Sequence, residues 1–145
     1  MAIVAATHES SSPEQTEALG ADLVRALRAG DVVLLFGEMG AGKTTLVRGA
    51  LRALGHAGPV TSPTYTLARH YETSGVAVSH LDLHRLGDLE DEDPGFLADH
   101  VHAGAIAFVE WPEAAAGDPD LDVRVAARVR LEHVDASRRR VTVGP

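Results

Sequence analysis

One glycine-rich turn constrains this chain more than any other feature, because it joins an apolar run to a helical pattern. The turn reads Gly37-Glu38-Met39-Gly40-Ala41-Gly42-Lys43-Thr44 and matches the Walker A pattern. The preceding run, residues 31–36, is continuously apolar after Asp31, which is typical of a strand buried on both faces of a parallel sheet. A strand, this turn and a helix in that order predict an α/β P-loop fold with a phosphate site.

The chemistry of the turn follows from its residue types. Glycines let successive backbone N–H groups converge on one anion, and the positive end of the next helix points to the same place. In this pattern we expect Lys43 to reach the β- and γ-phosphates, and the Thr44 hydroxyl to coordinate Mg²⁺. Thr45 follows directly and is expected to cap the helix or to contact the α-phosphate. The alternative, a chance glycine-rich turn, would arise in well under ~1% of chains of this length.

Two acids end predicted strands and are candidates for the metal site and for catalysis. Asp82 follows residues 78–81, and Glu110 follows the apolar run 105–109. Ligands of open α/β sheets bind outside the carboxyl edge of the strands, so both acids are expected near the phosphates. The plainer alternatives are a helix cap for Asp82 and a solvated strand end for Glu110. The loop 62–66, Ser-Pro-Thr-Tyr-Thr, either supplies a hydroxyl that senses the γ-phosphate or is an ordinary polar loop.

The remaining pattern predicts one domain, residues 1–145, of the α/β class. Its sheet is expected to be mainly parallel at the centre, with flanking helices and antiparallel C-terminal strands. Ser12, Pro13 and Gln15 form the start signature of a first helix. We expect strands over 2–6, 31–36, 65–72, 75–81, 105–109, 123–128 and 141–143, helices over 13–28, 43–54 and part of 87–103, and loops over 113–120 and 135–137.

Composition narrows the function. The net charge is −8, so broad contact with a nucleic-acid backbone is not expected. The chain has no Cys, which excludes thiolate zinc sites, and no Asn, which removes the usual guanine-reading motif of GTPases. No stretch approaches the ~20 apolar residues that span a bilayer, and we expect a cytoplasmic protein without membrane contact. Lys43 is the only lysine among 13 basic residues.

Several blocks together resemble the bacterial TsaE (YjeE-type) ATPase family, which takes part in making threonylcarbamoyladenosine in tRNA. The blocks are Gly-Glu-Met-Gly-Ala-Gly-Lys-Thr-Thr at 37–45, Arg-Gly at 48–49, Ser-Pro-Thr-Tyr-Thr-Leu at 62–67, His-Leu-Asp-Leu-His-Arg-Leu at 80–86 and Val-Glu-Trp-Pro-Glu at 109–113. The order and the spacing are similar over residues 12–113. The family typically has Tyr where His84 stands.

The resemblance implies roles for individual residues. It implies that Gly40–Thr45 hold the phosphates of ATP, that Thr44 and Glu110 bind Mg²⁺, and that Asp82 is an acid required for turnover. It further implies that Thr64 belongs to a switch and that Trp111 lies beside the nucleotide. Adenine is expected near Ser12 and Pro13 and near an arginine of the C-terminal strands, for which we select Arg138.

The resemblance also implies partners. Family members act with the TsaB and TsaD proteins, which transfer the threonylcarbamoyl group, and reach tRNA only through that complex. A low intrinsic ATPase rate is expected, because no arginine finger or catalytic glutamine is evident. The alternative function is a P-loop kinase of small molecules or nucleotides, although little of the chain is left for an acceptor pocket and lid. A GTPase-type switch is a third possibility.

Overall fold

The computed structural model describes residues 3–63, 66–84 and 95–145. Its strands are β1 (Ala6–Ser10), β2 (Val32–Phe36), β3 (Ala68–Tyr71), β4 (Ala77–Asp82), β5 (Ala105–Glu110), β6 (Val125–His133) and β7 (Arg139–Gly144). Its helices are α1 (Pro13–Val24), α2 (Lys43–Ala53), α3 (Phe96–His100) and α4 (Pro119–Asp122), with a 3₁₀ helix at Pro112–Ala115.

The described strands form one sheet in the order β1-β7-β6-β2-β5-β4-β3. β2 pairs in parallel with β5 and with β6, and β4 pairs in parallel with β5. The pairs β1–β7, β6–β7 and β3–β4 are antiparallel. The predicted fold class is therefore confirmed: a parallel centre carries antiparallel strands at the C-terminal side, and helices flank it.

Side chains of β2 explain why its sequence is continuously apolar. Val33 and Leu35 belong to the core on the α1 and α2 side of the sheet, whereas Val32 and Leu34 belong to the core on the opposite side. Alternate residues of a strand point to opposite faces, so a strand covered on both faces has no exposed position for a polar residue. β2 is thus held at the centre, and the turn that follows it opens at the carboxyl edge of the sheet.

Helices α1 and α2 pack together through glycines. Gly20 of α1 faces the backbone of Leu46, and Gly49 of α2 faces the backbone of Glu17. A Cβ atom built on Gly49 would lie 1.9 Å from the Glu17 carbonyl oxygen. The absence of side chains at these two positions lets the helix backbones touch, and it fixes α1 relative to the helix that follows the P-loop.

Some predicted boundaries were wrong. The strand predicted over 2–6 lies at Ala6–Ser10, because its position is set by pairing with β7 and four of its five residues are exposed, which leaves no apolar signal. The predicted loop 113–120 overlaps the 3₁₀ helix and α4, both of which begin with Pro. Asp118 caps α4 by accepting from the Leu121 amide.

Other helices and strands end closer to their predicted positions. α1 ends at Val24 rather than at 28, because Ala26 and Leu27 donate to carbonyls three residues back and tighten the last turn. The strand predicted over 123–128 extends to His133. The helix predicted within 87–103 is found as α3, while residues 85–94 lie outside the described ranges. None of the helices in those ranges is long and apolar enough to cross a membrane.

Candidate active site

Three neighbouring parallel strands bring the predicted site residues to one edge of the sheet. β2 leads into the glycine-rich turn, β4 ends at Asp82 and β5 ends at Glu110. In the strand register Asp82 lies beside Glu110, and Glu110 lies beside Leu35. Residues far apart in sequence therefore meet because their strands run in the same direction and stop at the same level.

The glycine-rich turn depends on backbone conformations that favour glycine. Gly37 has φ 148°, and a Cβ atom there would lie 2.5 Å from the Leu131 carbonyl oxygen. Gly42 has φ 109° and is the N-cap residue of α2. A glycine at the N-cap has no side chain that bonds the first amides of the helix, so these amides can donate hydrogen bonds to an anion.

The Lys43 side chain is buried within the site, with 5% of its surface exposed. Its Nζ donates to the Gly37 carbonyl oxygen at 2.6 Å, lies 3.7 Å from Oε1 of Glu110, and lies 4.2 Å from the ring centre of Trp111. Burial lowers the pKa of Lys43 below its ordinary value, and the negative charges of Glu110 and Asp82 oppose that shift. A buried cation enclosed in this way attracts phosphate strongly, since little water screens it.

Both acids are buried rather than solvated. Asp82 and Glu110 each expose 3% of their surface. An Asp82 carboxylate oxygen accepts from the His84 amide at 2.8 Å, so this side chain also stabilises the turn after β4. Oε2 of Glu110 bonds Nε2 of His80 at 2.5 Å, and the Glu110 carbonyl accepts from the Leu83 amide.

Trp111 adopts a left-handed backbone conformation with φ 54° and ψ 56°, directly before Pro112. This conformation is uncommon for a residue other than glycine, and such strain clusters at functional sites. Its ring lies against Lys43 on one side, and its centre is 4.5 Å from that of the His84 ring. The strained backbone thus turns the indole over the Lys43 ammonium.

Two cavities meet at the P-loop. The first has a volume of about 240 Å³ and is lined by Met39, Gly40, Gly42, Lys43, Thr44, Thr45, Ser62, Asp82, Glu110 and Trp111. The second has a volume of about 360 Å³ and is lined by Ser10, Ser11, Ser12, Pro13, Thr16, Gly40, Ala41, Gly42, Thr45, Ala136, Ser137 and Arg139. Because they share Gly40, Gly42 and Thr45, one elongated ligand could extend from one cavity into the other.

Four sequence candidates lie elsewhere. Gly37 and Glu38 line a third cavity of about 440 Å³, which also includes Trp111. Arg138 lines none of these three cavities, because its guanidinium bonds Asp135 at 2.7 Å and Glu9 at 3.4 Å. Thr64 lies outside the described residues.

Sequence reasoning missed His80, His84 and Arg139. His80 is fully buried and stands two residues before Asp82 in β4, so the period of a strand places both on one face. That spacing was a usable signal. No sequence signal indicated the contact of the His84 ring with Trp111, since the two residues belong to turns after different strands.

The residues present fit Mg²⁺, which prefers oxygen ligands and is usually held by one or two carboxylates plus phosphate oxygens. Thr44, Asp82 and Glu110 supply a hydroxyl and two carboxylates at the same cavity. Among the described residues no group of three or more His, Cys, Asp or Glu side chains could hold a metal ion unaided. An ion at this cavity would therefore take further ligands from a bound phosphate.

A central parallel sheet with a Walker A turn at its carboxyl edge defines a P-loop nucleotide-binding fold. The family model described as "Threonylcarbamoyl adenosine biosynthesis protein TsaE" matches residues 10–141. The chain belongs to the TsaE family.

Individual relatives agree with the family match. The tRNA threonylcarbamoyladenosine biosynthesis protein TsaE of Haemophilus influenzae is 43% identical over 108 residues, covering 74% of this chain and 66% of its own length. The protein of that name from Mycobacterium tuberculosis is 39% identical over 133 residues, covering 84% and 77%. The match thus spans about two thirds of the Haemophilus protein. Bacillus subtilis YdiB, a crystal structure, superposes with a TM-score of 0.74 at 22% identity, over 99% of this chain and 86% of that one.

Proposed function

We propose that this chain binds ATP with Mg²⁺ and hydrolyses ATP in support of tRNA threonylcarbamoyladenosine formation. One observation carries the proposal: a buried lysine of a Walker A turn lies with two buried carboxylates and a tryptophan at one cavity. Membership of the TsaE family supplies the pathway. The same arrangement supports a hydrolase more than a passive nucleotide carrier, because the acids stand where a metal and a reacting water would need them.

The phosphates would bind in the smaller cavity. The first amides of α2 and the Lys43 ammonium would hold their negative charge, and Thr44, Glu110 and Asp82 would hold the metal. Bound Mg²⁺ neutralises charge that builds up on the phosphates during transfer. Lys43, Asp82, Glu110 and, as a γ-phosphate sensor, Thr64 are the residues we expect turnover to require.

The adenine would bind in the second cavity, beside Ser12 and Pro13. Arg138, selected from the sequence, is engaged by two carboxylates, whereas Arg139 lines this cavity and donates to the Gly40 carbonyl at 3.4 Å. The geometry therefore supports Arg139 as the arginine near adenine. Arg138 would act by holding the turn that presents it.

Partners would complete the site. No arginine lines the phosphate cavity among the described residues, so a rapid ATPase lacking an additional cation is not expected. We propose that the TsaB and TsaD proteins stimulate a low intrinsic rate, and that tRNA is reached only through them. The chain would act as one domain in the cytoplasm.

The test is a comparison of ATP hydrolysis by the wild-type chain and by Lys43→Ala, Asp82→Asn and Glu110→Ala, alone and with TsaB and TsaD. We expect the chain to form a complex with TsaB and TsaD that depends on ATP. We also expect a reaction mixture that lacks this chain to regain tRNA modification when the chain is added. Glu110→Ala should keep nucleotide binding in EDTA and lose Mg²⁺-dependent turnover. Equal activity in that variant would show that the metal role belongs to another residue.

The other function classes have distinct readouts. Labelled ATP incubated with the protein and a panel of nucleosides would give a phosphorylated acceptor if the chain is a kinase, and that result would overturn the proposal. Tight binding of GTP without binding of ATP would instead favour a GTPase-type switch. Failure to form any ATP-dependent complex with TsaB and TsaD would remove the proposed partners.

A further inference from the structure

His80 is a polar residue whose side chain is buried among apolar ones. It stands in the middle of β4, beside Phe108 of β5, and its side chain is fully buried. Its neighbours on the same face, Val78 and Phe108, belong to the apolar core under α2. A buried polar group is retained at a cost unless a hydrogen bond compensates for lost hydration.

Among the described residues, the His80 imidazole makes one hydrogen bond. Nε2 lies 2.5 Å from Oε2 of Glu110, whereas Nδ1 is buried and has no hydrogen-bond partner within residues 3–63, 66–84 and 95–145. A carboxylate only accepts, so the proton on Nε2 is donated to Glu110. The side chain is thus held by apolar packing and points its one partnered nitrogen at the acid.

This bond gives the two oxygens of Glu110 different partners. Oε2 is bound to His80 beneath the site, and Oε1 lies 3.7 Å from Nζ of Lys43 at the cavity. Without the imidazole, both oxygens could turn toward the lysine, because it would be the nearest remaining partner in a buried setting. A carboxylate paired fully with Lys43 would be a poorer ligand for a metal ion.

We infer that His80 is a positioning residue for Glu110: it holds one carboxylate oxygen so that the other stays directed at the metal and phosphate cavity. The inference rests on the proposed function, in which Glu110 binds Mg²⁺. Groups that orient metal ligands in this way commonly change metal affinity or activity by about 10–100-fold when removed.

Three substitutions distinguish a role of His80 in orienting Glu110 from a role in packing the core. His80→Gln can place an amide N–H near the position of Nε2, His80→Asn is too short to reach Glu110, and His80→Leu fills the space without a donor. His56→Leu is the matched control, because His56 also has a buried ring nitrogen without a partner among the described residues but contacts Tyr71, away from the cavity. Thermal unfolding of each variant checks its fold.

The measurements are the Mg²⁺ concentration that gives half-maximal ATP hydrolysis, and ADP affinity by calorimetry with Mg²⁺ and with EDTA. We expect His80→Leu and His80→Asn to raise the half-maximal Mg²⁺ concentration by about 10–100-fold. They should weaken ADP binding with Mg²⁺ while leaving it unchanged in EDTA. His80→Gln and His56→Leu should resemble the wild type. In a Glu110→Gln background, His80→Leu should add no further loss of Mg²⁺ response.

The outcomes distinguish this inference from the proposed function. A normal Mg²⁺ response in Glu110→Gln would refute the metal role of Glu110 and this inference with it. A lost response in Glu110→Gln together with a normal response in His80→Leu would refute only the inference. Equal losses in the folded Gln and Leu variants would also refute it, because the donor would then not matter. If His80→Leu does not fold, the Mg²⁺ responses of His80→Gln and His80→Asn are compared instead, and equal responses would refute the inference.

Discussion

Substituting Gly49 with alanine tests the packing that fixes α1 against the P-loop helix. The added Cβ would lie 1.9 Å from the carbonyl oxygen of Glu17 and 2.5 Å from its carbonyl carbon. Both atoms belong to the backbone of α1, so no side-chain rotation can relieve the overlap. Since non-bonded heavy atoms settle at about 3.5 Å, the helices must separate locally by roughly 1.5 Å.

Two opposing terms set the magnitude. Alanine is favoured over glycine in a helix by about 1 kcal/mol, so helix propensity alone predicts a more stable variant. Overpacking costs about 1–3 kcal/mol and more where backbone must move, and a gap of 0.5–1 Å already removes about a quarter to a half of each van der Waals contact around it. With a steric cost at the upper end, we expect a net loss of about 2 kcal/mol, or a melting temperature lower by about 6 °C for a chain of this size.

The assay is urea and thermal unfolding of Gly49→Ala beside Gly75→Ala, a control in which the new Cβ meets nothing within 4 Å. Separation of the helices should also move Ser12 and Pro13, which precede and begin α1 and line the second cavity. ADP should therefore bind more weakly, whereas affinity for pyrophosphate should change little. A Gly49→Ala variant as stable as the wild type, or more stable, would refute the argument.

Three further predictions concern the site and its rim. Lys43→Ala should weaken ADP binding by about 100-fold in calorimetry, because charge-assisted bonds to phosphate contribute about 1.5–3 kcal/mol each. Arg139→Ala should weaken the binding of adenosine nucleotides more than Arg138→Ala does, as measured by the same titration, because of these two arginines Arg139 alone lines the second cavity. Bonds from the Arg138 guanidinium and from the Ser137 and Arg138 amides lower the pKa of Asp135 to about 2, which a carbon-detected NMR titration should reproduce. The folded-state pKa is the lower one, so the stabilisation is complete above the unfolded value of about 3.9 and is lost as the pH falls through 2; Asp135→Asn should flatten stability in that window.

The centre of the fold could be predicted because its signals are local and redundant. Residues 32–36 and 105–109 are apolar runs in strands covered on both faces of the sheet. The Walker A turn fixes its own geometry through glycines, so strand, turn and helix were placed within a residue or two. The meeting of Asp82 with Glu110 followed from parallel pairing alone.

The periphery could not be predicted to the same precision. β1 is mostly exposed, and its position is determined by backbone bonds to β7 at the other end of the chain. The contact of Gly20 and Gly49 with opposing backbone likewise depends on how two helices cross, which residue spacing does not encode. His80 stands in a buried strand, and only its partner in β5 distinguishes it from an ordinary core histidine.

The residue spacing alone does not decide which of Arg138 and Arg139 lines the second cavity. The two residues are adjacent, so their side chains lie on different sides of the chain and only one can face the cavity. The selection depends on where the β6–β7 turn ends, because a shift of one residue would exchange the two faces. Asp135 binds both the amide and the Nε of Arg138 within the turn, which leaves Arg139 as the first residue of β7, opposite Ser10 of β1. A hydrogen bond inside the turn thus holds Arg138 away from the second cavity, which Arg139 lines, and residue spacing alone does not encode this contact.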